Sequence, residues 1–185
     1  VAAAWAEAAA SVTPTEAVQE RVARQLRAAR WWTDSGDVER GRAALEGIVA
    51  TAPPGDQRAD ARALLAQIAG WEGGPTAILE HATAALDEAR DPELRARILL
   101  RISTGWDDGP PAERAALAGR AVDELRSMTD GSPDPALLAC AMLQSAAFRF
   151  EAGLADDEAA VQAAVALLGD APHVSGDADQ RAESH

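Results

Sequence analysis

Four large aromatic residues are each preceded by mostly small or apolar residues at distances of three, four and seven positions. This spacing places side chains on one face of an α-helix. The aromatic residues are Trp32, Trp71, Trp106 and Phe150. The residues before them are Ala29, Ala28 and Gln25; Ile68, Gln67 and Leu64; Ser103, Ile102 and Leu99; and Ala147, Ala146 and Leu143. The pattern predicts four helices with a buried stripe, each ending in a core ring that fills the gap to neighbouring helices.

Five prolines recur at nearly equal intervals. They are Pro14, Pro53, Pro92, Pro133 and Pro172, and the intervals between them are 39, 39, 41 and 39 residues. Between successive prolines the pattern predicts a helix, a glycine-containing turn and a second helix. The predicted helix pairs are 15–33 with 38–51, 57–71 with 75–90, 93–103 with 112–128, and 135–152 with 155–168. The sequence therefore predicts an all-α, right-handed solenoid of antiparallel helix pairs, with repeats of about 39–40 residues.

This repeat organisation covers every residue of the chain. Residues 1–13 are predicted to end a preceding repeat, and residues 173–185 to form a loop and the start of a further one. Four repeats lie between them, at 14–53, 54–92, 93–133 and 134–172. We therefore expect the chain to be part of a longer array.

The first repeat contains clear signals for its helix boundaries. Thr13 is a candidate N-cap, and Pro14 suits the first position of a helix, where a backbone N–H is not needed. The turn at 34–37 contains Gly36, which accepts positive φ without steric cost. We expect the second helix of the repeat to begin directly after this turn.

Composition narrows the possible functions of the 185-residue chain. Its net charge of −13 disfavours nucleic-acid binding, because phosphate contacts need clustered basic residues. All 17 basic residues are Arg, and the single Cys excludes an internal disulfide and fits a reducing cytoplasm. No apolar run approaches the roughly 18 residues that span a membrane. We expect a cytoplasmic helical module that contacts neither membrane nor nucleic acid.

Residue types that carry chemistry are scattered rather than clustered. His81 lies in a predicted helix without a second ligand at metal-binding spacing, and Cys140 lies in an apolar helix segment, where we expect a buried core residue. The acidic pairs at 107–108 and 156–157 fall in turns or helix starts, where carboxylates are common. The sequence therefore predicts no catalytic residue, no metal site and no cofactor.

One repeat resembles a known family. Trp32, the Gly36-Asp37 turn, the small residue Gly41 and the closing Pro53 together resemble the tetratricopeptide repeat. In the second unit Glu80 stands where the small residue is expected, and the units exceed the usual length of about 34 residues. The resemblance implies a solenoid with a groove lined by one face of the first helix of each pair.

Longer repeats of this kind are similar to the central helical region of large actinobacterial LuxR-family (MalT-like) transcriptional regulators. The similarity lies in the segments 28–32, 35–40 and 91–97 and in the break at 53–55. Those regulators carry an N-terminal ATPase and a C-terminal helix-turn-helix. The present sequence contains neither a phosphate loop nor a basic recognition helix, so the resemblance implies the sensing or interaction region alone.

Positions near the aromatic residues outline the predicted groove. An arginine strip, an acidic strip and two apolar contacts would together hold a peptide, a protein or a small-molecule inducer. The groove residues are Arg30, Trp31, Arg62, Glu72, Arg97, Asp107, Gln144, Phe148 and Glu151. The alternative is a solvated helix face with internal arginine–acid pairs, which contribute little to stability.

Two functional hypotheses follow from these features. The first is a non-catalytic sensing or interaction module that relays ligand binding to flanking ATPase and DNA-binding domains of the same chain. The second is a free-standing scaffold or self-association module. An enzyme built on the helical scaffold is a third class, but no residue pattern in the sequence supports it.

Overall fold

The computed structural model describes residues 2–14, 17–72, 74–105, 109–129, 131–154 and 157–170. Within these ranges the chain forms nine α-helices and no β-strand, which confirms the prediction of an all-α fold. The helices are α1 (Ala2–Ser11), α2 (Val18–Asp34), α3 (Val38–Thr51), α4 (Asp56–Trp71), α5 (Pro75–Glu88), α6 (Pro92–Gly105), α7 (Pro111–Arg126), α8 (Pro135–Glu151) and α9 (Glu158–Asp170).

Proline, glycine and aspartate set several helix boundaries. Pro75 and Pro135 are the first residues of α5 and α8, where the missing N–H has no helical partner. Asp37 caps α3, because its carboxylate accepts a hydrogen bond from the backbone N–H of Arg40 at 3.3 Å. Gly36 has a φ of +90°, which confirms the predicted glycine turn.

The predicted role of Thr13 is wrong. α2 begins only at Val18, and its N-cap, Ala17, makes no side-chain capping bond. The Thr13 hydroxyl instead donates to the carbonyl of Ala9 at 2.7 Å and accepts from Arg24 Nη1 at 2.7 Å. A threonine hydroxyl readily bonds a carbonyl four residues earlier, and here that bond closes the end of α1.

Helix packing separates the even-numbered helices from the odd-numbered ones. Every helix packs against the next along the chain, and α2 also contacts α4, α4 contacts α6, and α6 contacts α8. Among the described residues, no such contact joins α3 to α5 or α5 to α7. The even-numbered helices therefore form one continuous layer, which we call the even-helix layer. The odd-numbered helices α3, α5 and α7 each pack against two of its members.

Buried positions recur at a spacing of 37 residues in the first three helix pairs, which are α2–α3, α4–α5 and α6–α7. Recurring buried positions on the even-numbered helices are Val22, Ala59 and Ala96, and Ala29, Ala66 and Ser103. Those on α3 and α5 and at their C-caps are Leu45 and Ala82, Ile48 and Ala85, and Ala52 and Ala89. In the third pair, α6–α7, the position equivalent to Ala52 and Ala89 is Leu125, which lies 36 rather than 37 residues after Ala89. The recurrence defines equivalent positions in successive pairs.

Three core clusters follow one another along the layer without a boundary. α4 contributes Leu65 to the cluster with α2 and α3, and it contributes Ala66 to the next cluster with α5 and α6. The second and third clusters share the partly buried Leu86 and Leu117. The apolar surface of each helix pair is therefore buried partly between its own two helices and partly against the neighbouring pairs.

The predicted buried stripe is largely confirmed, but the predicted core rings are not. Trp71 is 57% exposed and Phe150 is 75% exposed, so their assignment to the core is wrong. Trp32 is half-buried, with the Arg40 guanidinium 3.9 Å from its ring centroid. Trp106 lies outside the described residues. The core is filled instead by aliphatic and small side chains of the stripe, of which Ala28, Ala29, Ile68, Leu99, Ile102, Ser103 and Ala146 are buried.

Candidate binding basin on the even-helix layer

An open cavity of about 400 Å³ lies on the even-helix layer, and we call it the basin. Three neighbouring helices of this layer, α2, α4 and α6, contribute its walls. The lining residues are Arg30 and Asp34 from α2; Asp60, Ala63, Leu64 and Gln67 from α4; and Leu94, Arg97 and Arg101 from α6. Within each helix most of these residues are spaced by three or four positions, so they share one helical face.

Two of the three arginines in the basin have carboxylate partners. Arg30 Nη2 donates to Asp60 Oδ2 at 2.5 Å, and so links α2 to α4. Arg97 Nη2 donates to Glu93 Oε2 at 3.1 Å within α6. Both arginines are exposed, and exposed ion pairs contribute about 0–1 kcal/mol each. A ligand anion can therefore compete for either guanidinium at little cost in stability.

Arg101 differs from these two arginines. It is half-buried, and its side chain makes no hydrogen bond or ion pair with any residue that the structure describes. Burial lowers the pKa of the Arg101 guanidinium, because withdrawal from water disfavours the charged form. A desolvated cation without a partner is unfavourable. The basin thus contains a donor group whose requirement for an anion is unmet by the described chain.

Of the eight predicted groove residues that the structure describes, Arg30 and Arg97 line the basin and the other six do not. Arg62 and Glu72 connect α4 to odd-numbered helices instead. Arg62 Nε donates to Glu88 Oε1 of α5 at 3.2 Å, and Glu72 accepts from Arg42 of α3. Trp31 is 38% exposed and does not line the basin.

The predicted groove residues of α8 lie elsewhere, and Asp107 lies outside the described residues. Phe148 is 6% exposed and belongs to the core, so the prediction that it offers a groove contact is wrong. The Arg114 guanidinium of α7 lies 4.1 Å from the Phe148 ring centroid and 3.7 Å from the Glu151 carboxylate. Gln144 Nε2 contacts Cys140 Sγ at 3.4 Å. α8 therefore contributes none of the basin.

An arginine–glutamate arrangement recurs between the helices of the second and third pairs. Arg58 donates to both carboxylate oxygens of Glu88, at 2.7 and 2.9 Å, and Arg95 donates to Glu124 Oε1 at 2.8 Å. Arg58 and Arg95 are 37 residues apart, so they occupy equivalent positions. Each also donates through Nη1 to a carbonyl at the end of the preceding odd-numbered helix, namely those of Ala52 and Ala89.

Glu88→Gln is expected to lower the free energy of unfolding at neutral pH. The Arg58 hydrogen bonds chiefly, assisted by Arg62, hold the pKa of Glu88 below its ordinary value. A carboxyl group with a lowered folded-state pKa stabilises the fold above its unfolded pKa, and the stabilisation is lost as pH falls through the folded-state pKa. The difference between wild type and Glu88→Gln in urea unfolding should therefore be present at pH 7 and shrink in acid.

Glu113→Gln is the matched control for that measurement. Glu113 is exposed on α7, and its side chain makes no hydrogen bond or ion pair within the described ranges. This substitution is expected to leave the free energy of unfolding nearly unchanged. An equal loss for Glu88→Gln at neutral and acidic pH would contradict the electrostatic explanation.

Other chemistry-bearing residues remain scattered in the described part of the chain. Cys140 is exposed, so its predicted burial is wrong: the apolar segment around it has no polar side to fix its orientation. His81 is half-buried, and burial followed by the Arg62 charge lowers its pKa. Among the described residues no group of three or more His, Cys, Asp or Glu side chains is placed to hold a metal ion.

Comparison with known proteins assigns the chain to no family. No protein-family model matches it, and neither a curated protein nor a solved structure shows significant similarity to it. None of the helices that the structure describes combines the length and apolar character needed to cross a membrane. The functional argument therefore rests on the basin and its charges.

Proposed function

We propose that the chain is a non-catalytic binding module, and that its ligand or partner binds in the basin. The observation that carries the proposal is the placement of Arg101, partly desolvated and without a partner among the described residues, in an open cavity shared by three helices. A volume of about 400 Å³ falls within the range of small-molecule sites. Arg30, Arg97 and Gln67 supply further hydrogen-bond donors around the same space.

The proposal includes a solenoid of antiparallel helix pairs. A continuous layer of even-numbered helices, with odd-numbered helices packed across their joins, is the contact pattern that a stacked array of helix pairs produces. The 37-residue recurrence of buried positions supports a repeated unit. Arrays of this kind present an extended face suited to recognition rather than covalent chemistry.

We further propose that binding is relayed to flanking domains of a longer chain. The resemblance to the central region of LuxR-family regulators supports an ATPase and a helix-turn-helix as the recipients. A ligand that contacts both α2 and α6 would favour one arrangement of these helices over others. Such a relay requires that the ligand bind the resting and active arrangements with different affinity.

Gln67→Trp tests the basin as the binding site, because a large ring there fills the space between α2 and α6. Small carboxylates, phosphates, amines and short peptides are screened for their effect on the thermal unfolding midpoint. Compounds that bind the basin are expected to raise the midpoint of wild type by about 2–4 °C per kcal/mol of binding stabilisation. The same compounds should have no effect on Gln67→Trp.

Gln162→Trp is the matched control, since Gln162 is exposed on α9, away from the basin. It should respond to ligands as wild type does. Compounds that stabilise all three proteins equally would place their site elsewhere and overturn the proposal. A panel without any stabilising compound would also count against it.

A scaffold or self-association module is the second candidate, and exposed apolar side chains favour it. Trp5 and Val12 at α1 are 72% and 78% exposed, and Val165 and Leu168 on α9 are 55% and 45% exposed. Sedimentation velocity over a range of concentrations separates the two functions. Self-association predicts a mass that rises with concentration and falls back in Val165→Asp, whereas a ligand-binding monomer predicts a constant mass.

A further inference from the structure

We propose that a second cavity, between α1, α2 and α3, binds a small carboxylic acid with an apolar body, and that Arg21 holds its carboxylate. The cavity has a volume of about 560 Å³, within the range of small-molecule sites. It is separate from the basin, to which α1 and α3 contribute no residue. The proposal is therefore independent of the function assigned to the basin.

Arg21 is the first-pair equivalent of two arginines that bind a carboxylate within the chain. It lies 37 residues before Arg58, which itself lies 37 residues before Arg95. Arg58 binds Glu88 through two hydrogen bonds, and Arg95 binds Glu124. At both equivalent positions, therefore, the arginine binds a carboxylate.

The first helix pair lacks the carboxylate. Thr51 stands 37 residues before Glu88, next to the equivalent residues Ala52 and Ala89. Two further large side chains of the second pair are also replaced by smaller or uncharged ones: Arg62, which donates to Glu88, and His81, which lies close enough to Arg62 to be affected by its charge. Gln25 is the equivalent of Arg62, and Ala44 is the equivalent of His81. The smaller or uncharged side chains leave open space, and this space is the cavity. Thr51, Gln25 and Ala44 all line it.

No carboxylate of the described residues pairs with the arginine in this space. Seven other half-buried arginines of the described chain have a carboxylate within 4 Å: Arg24, Arg42, Arg58, Arg62, Arg95, Arg114 and Arg149. Within the described ranges, Arg21 and Arg101 are the two half-buried arginines with no such partner, and each lines a cavity. A ligand carboxylate at Arg21 would restore the charge-assisted pairing seen in the next two pairs.

The remaining walls define the body of the ligand. Ala10, Ala28, Ala43 and Ile48 give an apolar surface, and the half-buried Trp32 adds an aromatic ring. Such walls favour a hydrocarbon or aromatic group beside the carboxylate. A polyanion such as nucleic acid is disfavoured by the net charge of −13.

3-Phenylpropionate is a suitable probe, and 3-phenyl-1-propanol is its uncharged counterpart. Titration is followed by the side-chain N–H signals of Arg21 and Trp32 in ¹⁵N-labelled protein at constant ionic strength. We expect saturable shifts of both signals with the acid and much weaker ones with the alcohol. Arg21→Gln should weaken binding of the acid at least about tenfold, as expected for the loss of hydrogen bonds to a charged group.

Thr51→Glu supplies the missing carboxylate and is the sharper test. The new side chain is expected to pair with Arg21 as Glu88 pairs with Arg58, to raise the unfolding midpoint and to abolish binding of 3-phenylpropionate. Arg27→Gln, on the exposed face of α2, should bind the probe as wild type does. Equal binding of acid and alcohol, unchanged binding in Thr51→Glu, or no saturable shift in wild type would each overturn the proposal.

Discussion

Leu99→Ala is expected to lower the free energy of unfolding by about 2–5 kcal/mol, the range for truncation of a fully buried leucine. Leu99 of α6 has no exposed surface and packs in the cluster that joins α6 to α7 and α8. The loss combines the transfer of the side chain to water with the cavity left behind. Urea unfolding measures this loss of free energy, provided that the slope of the free energy against urea concentration is the same in wild type and variant.

Trp71→Ala is the informative companion to this variant. The larger side chain is removed, but Trp71 is 57% exposed, so the expected loss is about 1 kcal/mol or less. A buried tryptophan at the same position would cost about 3–5 kcal/mol. A loss for Trp71→Ala that equals or exceeds that for Leu99→Ala would contradict the burial pattern described above.

Gly41→Ala is expected to destabilise the fold by about 1–3 kcal/mol through overpacking, although alanine favours helices. A methyl group at Gly41 would lie 2.3 Å from Thr33 Oγ1 and 3.2 Å from the carbonyl oxygen of Ala29. The Thr33 hydroxyl is held by a 2.9 Å hydrogen bond to that same carbonyl. α2 and α3 would therefore have to move apart, and urea unfolding of the variant measures the cost.

Two variants separate steric clash from helix propensity. Gly47→Ala lies on the same helix with no atom near the added methyl group, and it is expected to stabilise by up to about 1 kcal/mol. Thr33→Ala combined with Gly41→Ala removes the closest contact and should recover part of the loss. If Gly41→Ala stabilised the protein as Gly47→Ala does, the close approach of α2 and α3 would be disproved.

Local sequence signals predicted most of the helical framework. Prolines, glycines and capping aspartates act within a few residues, so the predicted helix at 38–51 agrees with α3 and the others end within a few positions of their predicted bounds. The three-and-four spacing likewise identified buried residues such as Ile68 and Ile102. These properties depend on the helix itself and require no knowledge of its neighbours.

The aromatic residues show where local signals end. Phe148 and Phe150 lie about 200° apart around α8, and both are large enough to fill a gap. Alignment with the closing proline favoured Phe150, whereas Phe148 is the buried ring and contacts Arg114 of α7. Which of the two rings is covered depends on the position of α7, and that information is not local to α8.

The basin was predicted only in part, because the pairing of its charged side chains also depends on neighbouring helices. Arg30 and Arg97 follow from the helical face, and the spacing of Arg97 and Arg101 by four positions was a signal for the third arginine. Arg62 does not line the basin, because Glu88 on the following helix binds it. Partner choice among many arginines and acids is set by tertiary contacts, so the sequence pattern alone does not decide it.

The double burial of α4 has a mechanical consequence. Because one helix supplies side chains to two successive cores, the neighbouring helix pairs have no flexible joint between them in this region. Close-packed interiors have low compressibility and transmit strain. A displacement imposed at α2 is therefore distributed along the even-helix layer as elastic bending, and it reaches α6 without a hinge between rigid bodies.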